Sequence, residues 1–372
     1  MKKYRVWAEV SLQKTAENMR RIRNVIGPNV RICVVVKADA YGHGAVPIAK
    51  TVLENGAYMV AVGDSNEAIE LREAGILSPV IILGALIEEE IGWLVSYDII
   101  PTVHSLEIVK RLDEEAKRQN KKHAVHIKVD TGMSRLGASP QRAVEIAKMI
   151  SASEHLVLEG ISTHLSSGAL QDQEFSNKQI EIFSGVVDEI QRQGIQIPFC
   201  HVANSAGIFK LPHSYFNMVR PGIAVYGLYP DKKKSEETGL APVLALKTQI
   251  TFLKGVPEGT PVGYNRTYTA KRNTWIATLP VGYNDGYPHR LSNNAEVLVR
   301  GQLAPVVGTV TMDYTTVDVG HIEGVDVGDD VVLIGRQGDN EISVMQLAER
   351  VGTIPYEITC HLGKRVKRVY VQ

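Results

Sequence analysis

The chain has 372 residues, 44% apolar and 22% charged, with 41 lysines and arginines against 41 aspartates and glutamates. That length admits two domains, or one large α/β barrel with an addition. The balanced charge leaves no net field to recruit nucleic acid or an anionic membrane surface.

The opening residues, MKKYRVWAEVSL, carry two lysines but no apolar core of signal-peptide length, and Glu9 interrupts them, so a cytoplasmic protein is expected. No later stretch is long and apolar enough to span a bilayer. Residues 4 to 10 alternate as a strand does, and Ser11 then caps a charged helix running to about Val25. From Val30 to about Arg220, short apolar runs alternate with amphipathic segments. Strands are predicted at Arg31–Val36, Tyr58–Val62, Val80–Leu83, Ile99–Val103, Ala124–Val129, Leu158–Thr163, Phe199–Val202 and Asn217–Val219. Between them, Leu106, Val109, Leu112 and Ala116 form one helical stripe, and Phe175, Ile180, Phe183, Val187 and Ile190 another. Eight strands separated by helices predict a (β/α)₈ TIM-type barrel, with an open doubly wound sheet as the other topology.

The polar run DKKKSEETG after Pro230 reads as a solvated linker. It divides the chain into expected domains at residues 1–239 and 240–372. Beyond it helical periodicity nearly vanishes until Ser343–Arg350. Short runs such as Ala295–Val299, Pro305–Val310 and Asp330–Ile334, punctuated by Gly, Pro and Asn, predict a mainly β domain. Cys33, Cys200 and Cys360 are few and widely separated, which suits neither a disulfide framework nor a zinc site. No metal is expected.

In an α/β barrel, chemistry gathers at the C-terminal ends of the strands. The first barrel strand ends in Lys37, followed by the turn Tyr41-Gly42-His43-Gly44. A lysine leaving a buried strand can lose its proton through desolvation and form a Schiff base with a carbonyl, or it can snorkel to solvent. The other strand ends carry Lys128 and, just beyond, Arg135; His164; His201 and Ser205; and Arg220, Gly222 and Ile223. Taken singly, a residue such as His164 is more often a hydrogen-bonded core histidine and one such as Arg220 a structural ion pair. Their convergence with lysine and tyrosine on one barrel end points instead to a site. Ser205, Gly222 and Ile223 occupy the position of the barrel phosphate cradle. A lysine on the first barrel strand, with a phosphate cradle at the seventh and eighth, suits a phosphorylated aldehyde held as an imine, as in pyridoxal phosphate.

The motifs VVVKADAYGHG, HIKVDTGMSRLG, THL, HVANSAG, VRPGIAVYG, VGYNR, LPVGYNDGY, GTVTMDY and TIPYEIT resemble, in order and across essentially the whole chain, those of alanine racemases. The resemblance implies pyridoxal 5'-phosphate on Lys37, which also serves as one of two acid–base residues. It implies phosphate binding by Tyr41, Ser205, Gly222, Ile223 and Tyr356, and Arg220 facing the pyridine nitrogen. His164 then bridges towards the second acid–base residue, Tyr264, supplied by the partner subunit of a homodimer. Arg135, Met312 and Tyr283 match substrate-binding positions, and Lys128 a position that some members carbamylate. Thr311 stands where other members have cysteine or serine. The implied reaction is interconversion of L- and D-alanine, for peptidoglycan. Same-fold racemases of serine, lysine or broad specificity remain open. So do a related decarboxylase, which Arg220 disfavours, and a non-catalytic cofactor carrier, which the added β domain disfavours.

Overall fold

The computed structural model describes residues 4–168, 173–229 and 237–372, so Asp231–Glu236 of the expected linker lies outside the described residues. The chain divides into two compact units. One comprises Thr15–Ala40 and Ala45–Ala241, the other the residues up to Lys14, Tyr41–Gly44 and Pro242–Gln372.

The first unit is the expected barrel. Its strands are β2 (Arg31–Val35), β3 (Met59–Val62), β4 (Val80–Ile82), β5 (Thr102–Val103), β6 (His123–Lys128), β7 (Leu156–Ser162), β8 (Phe199–Asn204) and β9 (Met218–Arg220). All neighbours pair in parallel, in the order β4-β3-β2-β9-β8-β7-β6-β5. The two ends of that order meet. Ile81 bridges Ile100, with the Ile82 amide donating to the Ile100 carbonyl at 2.9 Å and the Ile100 amide to Val80 at 2.8 Å. The sheet therefore closes, which excludes the open doubly wound alternative. The fourth strand is shorter than its apolar run because Pro101 has no N–H to give the ladder, although its carbonyl accepts from His126. The apolar runs are buried along their length, as strands covered on both faces require: all four residues of β3 and the last four of β2 are buried.

Helices pack outside through the predicted stripes. In Leu106–Arg118, Val109, Leu112 and Ala116 are buried, and Ser105 caps the helix by accepting from the Ile108 amide. In Glu174–Arg192 the stripe of Ile180, Phe183, Val187 and Ile190 is buried, but Phe175 is 43% exposed. The buried face of that first turn belongs to Ser176 and Gln179. The Gln179 amide donates to Thr131 Oγ1 and the His164 carbonyl, and accepts from the Ser166 amide. There the helix meets backbone loops, which reward a polar residue rather than an aromatic one.

The second unit is mainly β, with β10 (Leu244–Gln249), β11 (Phe252–Val256), β12 (Pro261–Val262), β13 (Tyr268–Thr269), β14 (Thr274–Leu279), β15 (Glu296–Val299), β16 (Gln302–Pro305), β17 (Thr315–Asp318), β18 (Asp330–Gln337), β19 (Asn340–Ile342) and β20 (Lys367–Val371). The alternating N-terminal segment is β1 (Val6–Ser11). It sits inside this unit's largest sheet, antiparallel to β10 and parallel to β20, burying Val6, Ala8 and Val10. The predicted late helix is Val344–Val351, held by a Ser343/Gln346 capping box and ended by Gly352 in the left-handed region.

Candidate active site

Lys37 follows β2 and opens an unusual turn. Ala38, Asp39, Ala40 and Tyr41 have φ between 52° and 55°, and Gly42 has 83°. Four consecutive non-glycine residues thus form a left-handed helical turn, at about 1–2 kcal/mol each. Polar tethers hold it. The Glu67 carboxylate accepts from the Ala38 amide at 2.6 Å and from the Gly63 amide at 2.7 Å. Asp39 accepts from the Ala45 amide at 2.7 Å. Glu67 was readable in the sequence only as the end of the capping pattern Asp64-Ser65-Asn66-Glu67. Of the two readings the strand pattern allows for Lys37, the solvent-facing one forms within this chain: Lys37, Ala38 and Asp39 are exposed, because the turn carries them off the strand.

The remaining barrel residues converge as expected. Arg220 ends β9 and is buried. Its guanidinium donates to the carbonyls of His201 at 2.7 Å, Thr163 at 2.7 Å and Val202 at 3.1 Å. It also donates to His201 Nδ1 at 2.9 Å and meets His164 Nδ1 at 3.3 Å. Among the described residues its side-chain hydrogen bonds go to carbonyls and imidazoles rather than a carboxylate. Burial lowers it to about 10, which leaves it charged at neutral pH. His201 is held well below the usual histidine range by burial, then by Arg220 and His126. His164 is held down by burial, then by Arg220, Lys128, Arg135 and Lys37. Lys128, at the end of β6, is pushed well down by burial, Arg220 and Arg135, with Asp130 opposing. Lys37, Lys128, Arg135, His164 and Arg220 therefore feel one another at one barrel end, and their shared field is positive.

At the end of the neighbouring strand β8, Asn204 caps the short helix Ser205–Lys210. Ser205 Oγ accepts from the amides of Gly222 at 3.0 Å and Ala224 at 3.3 Å. With both lone pairs engaged, the hydroxyl offers its proton, and the turn Ile223–Tyr226 begins beside it. Hydroxyl and amide donors beside a cluster of cations suit an anion. The set as a whole suits an aldehyde bearing a phosphate, with an amine in Lys37 to hold it and a cation in Arg220 to face a ring nitrogen.

The second unit groups the other predicted residues. Tyr41 and Tyr356 lie with ring centroids 5.9 Å apart. The amides of Tyr283 and Asn284 donate to the carbonyls of Thr311 and Met312 at 3.0 and 3.2 Å. A side chain at Gly282 would overlap those two carbonyls, so glycine is required for the segments to pass. Tyr264 sits in the turn Tyr264–Arg266, its carbonyl accepting from Thr309 Oγ1 at 3.2 Å. Its side chain is 69% exposed, and Met312, Tyr283 and Tyr314 are also exposed.

Two family models match the chain: "Alanine racemase, N-terminal domain" over residues 10–230 and "Alanine racemase, C-terminal domain" over 243–370. The chain is 44% identical over 364 residues to an alanine racemase of Halothermothrix orenii, covering 98% of this chain and 96% of that one. A crystal structure of alanine racemase from Bacillus anthracis with bound L-Ala-P superposes with a TM-score of 0.93 at 36% identity, covering 100% of this chain and 96% of that chain. A histidine racemase from Leuconostoc mesenteroides superposes with a TM-score of 0.91 at 26% identity, covering 99% and 98%.

Proposed function

The chain belongs to the alanine racemase family, and from that premise we propose that it interconverts L- and D-alanine with pyridoxal 5'-phosphate by a two-base mechanism. The observation that carries this reading is the buried Arg220, whose side-chain hydrogen bonds run to carbonyls and imidazoles. When bound, the cofactor withdraws electrons from the amino acid's α-carbon and so acidifies its α-proton.

The protein's own residues do the rest. Lys37 holds the cofactor, then takes or gives the α-proton on one face, and Tyr264 does so on the other. Two bases on opposite faces are what inversion of a carbon centre needs. His164 bridges towards Tyr264 and, kept neutral by burial and then by Arg220, can pass a proton without trapping it. Arg220 faces the ring nitrogen. A guanidinium that stays charged can share a hydrogen bond but does not hand over its proton, so that nitrogen would stay unprotonated and side reactions needing a protonated ring would be suppressed. Tyr41, Tyr356, Ser205, Gly222 and Ile223 bind the phosphate. Arg135, Met312 and Tyr283 bind the substrate, and the depressed Lys128 amine is suited to carbamylation.

Residues 1–239 form the cofactor-binding part in this reading, and 240–372 contribute Tyr264 and Met312 to the partner's site in a homodimer. The exposure of both side chains supports that arrangement. The protein acts in the cytoplasm and supplies D-alanine for peptidoglycan. The likeness to a histidine racemase keeps substrate choice a question for measurement. Purified protein with added cofactor should form D-alanine from L-alanine faster than it racemises L-histidine, L-serine or L-lysine. A faster rate on any of those three would replace alanine as the substrate.

A further inference from the structure

Arg220 is the start of a chain of hydrogen bonds that leaves the site through the barrel. Its Nη1 donates to His201 Nδ1 at 2.9 Å. His201 Nε2 meets His126 Nδ1 at 2.8 Å, and His126 Nε2 meets a Glu159 carboxylate oxygen at 3.1 Å. Both rings are completely buried, whereas the Glu159 side chain is 22% exposed. The register fixes the direction of travel. Arg220 lies opposite Asn204 at the C-terminal end of β8, and Gly160, next to Glu159, lies opposite Phe199 at its start. The relay runs nearly the length of the strand, about 16 Å.

Its protons can be placed without seeing them. Guanidinium is donor only, so His201 Nδ1 must accept and its proton sits on Nε2. That proton goes to His126 Nδ1, which places the His126 proton on Nε2, donated to Glu159. A Glu159 that donated to His126 would drive the sequence backwards and set two hydrogens in the gap between His201 and Arg220. An additional proton on either ring would crowd a gap in the same way. One arrangement of ring protons satisfies every gap, with the cation at the inner end and an accepting carboxyl oxygen at the outer. The surroundings keep the His126 ring in place: it lies over Phe199 with an interplanar angle of 23°. Any side chain at Gly160 would overlap the ring.

We propose that Glu159 is a positioning residue for Arg220, acting through His126 and His201 to fix the ring that the guanidinium leans on. The proposal rests on the reading of Arg220 as the residue facing the cofactor, but its first test needs no cofactor. Neutron diffraction from perdeuterated, cofactor-free crystals should show deuterium on Nε2 of both histidines and none on Nδ1. Deuterium on Nδ1 of either ring overturns the relay and leaves the reading of Arg220 untouched. Ring nitrogen resonances of ¹⁵N-histidine-labelled protein then compare Glu159→Leu, which removes the acceptor, with Glu159→Gln, whose carbonyl keeps it. Arg220 by itself holds His201 as Nε2–H, so the effect of the variants falls on His126, whose Nε2–H loses its acceptor. The leucine variant should shift and broaden the His126 ring-nitrogen resonances and the glutamine variant should keep them. Unchanged His126 resonances in the leucine variant overturn the proposal. Should that variant fail to fold, loss of the His126 pattern in the glutamine variant overturns it instead. If the His126 ring responds as expected while kcat on alanine does not change, the relay stands and the role given to Arg220 falls.

Discussion

Glu67 offers a direct test of how Lys37 is presented. The left-handed turn of Ala38, Asp39, Ala40 and Tyr41 stores about 4–8 kcal/mol relative to right-handed backbone. Glu67→Ala removes the acceptor of two charge-assisted bonds, to Ala38 at 2.6 Å and Gly63 at 2.7 Å. Bonds to a charged group are worth roughly 1.5–3 kcal/mol each where solvent is excluded. Here Ala38 is exposed and Gly63 half-buried, so water replaces part of the loss and about 2–3 kcal/mol is expected in total. Glu67→Gln keeps one carbonyl acceptor and turns an N–H donor towards the other amide, so about half of that is expected. Urea unfolding at fixed protein concentration reads the stability, and fluorescence titration with pyridoxal 5'-phosphate reads the turn. If the turn opens by about 2 kcal/mol, cofactor affinity falls by up to about thirtyfold, because only the competent fraction binds. Unchanged unfolding midpoint and unchanged affinity in Glu67→Ala would show that the turn holds itself, and the reasoning would be wrong.

Three further outcomes are expected. Borohydride reduction of the cofactor-loaded protein, followed by peptide mapping, should place the label on Lys37; a label on Lys128 would contradict the proposed site. Mixing inactive Lys37→Ala and Tyr264→Phe chains, with verified subunit exchange, should restore roughly a quarter of wild-type activity, since about half the dimers are mixed and each has one intact site. Activity no higher than the parents' average would place Tyr264 in its own chain's site. Burial lowers His123 to about 4, so on acidification the unfolded chain takes up a proton at about 6.5 that the folded chain refuses. Stability should therefore be full above about pH 6.5 and fall by roughly 3 kcal/mol as pH drops towards 4. In His123→Gln, urea midpoints measured across that range should show a slope shallower by that amount, since His164 and His201 keep theirs, and an unchanged slope would show that His123 does not contribute.

The barrel was legible because its strands are buried on both faces, which leaves runs such as VVV and VII that no other element explains. Closure was not, since one bridge at Ile100, beside a proline, decides it. The convergence of Lys128, His164, Ser205 and Arg220 followed from strand order alone. What stayed hidden depends on backbone shape or on residues that look ordinary. Ala-Asp-Ala-Tyr carries no glycine to announce a left-handed turn, so the sequence left open whether Lys37 is buried or exposed. Nothing in the sequence sets Glu159 apart, and Glu67 shows only as the end of a capping pattern; their partners give them a role. Alternation in residues 4–10 predicted a strand but could not name its neighbours, because period two fixes faces and not pairing.

That first strand has a consequence for how the protein is made. β1 leaves the ribosome ahead of the whole barrel, yet its sheet neighbours are β10 and β20. At roughly 5–20 residues per second, β20 follows it by about 20–70 s. During that interval the barrel residues can collapse behind a strand whose ladder groups have nothing to pair with, and whose Val6, Ala8 and Val10 wait uncovered. The order of synthesis is thus opposite to the order of need, and the N-terminal segment is the part of the nascent chain that a chaperone would have most reason to hold.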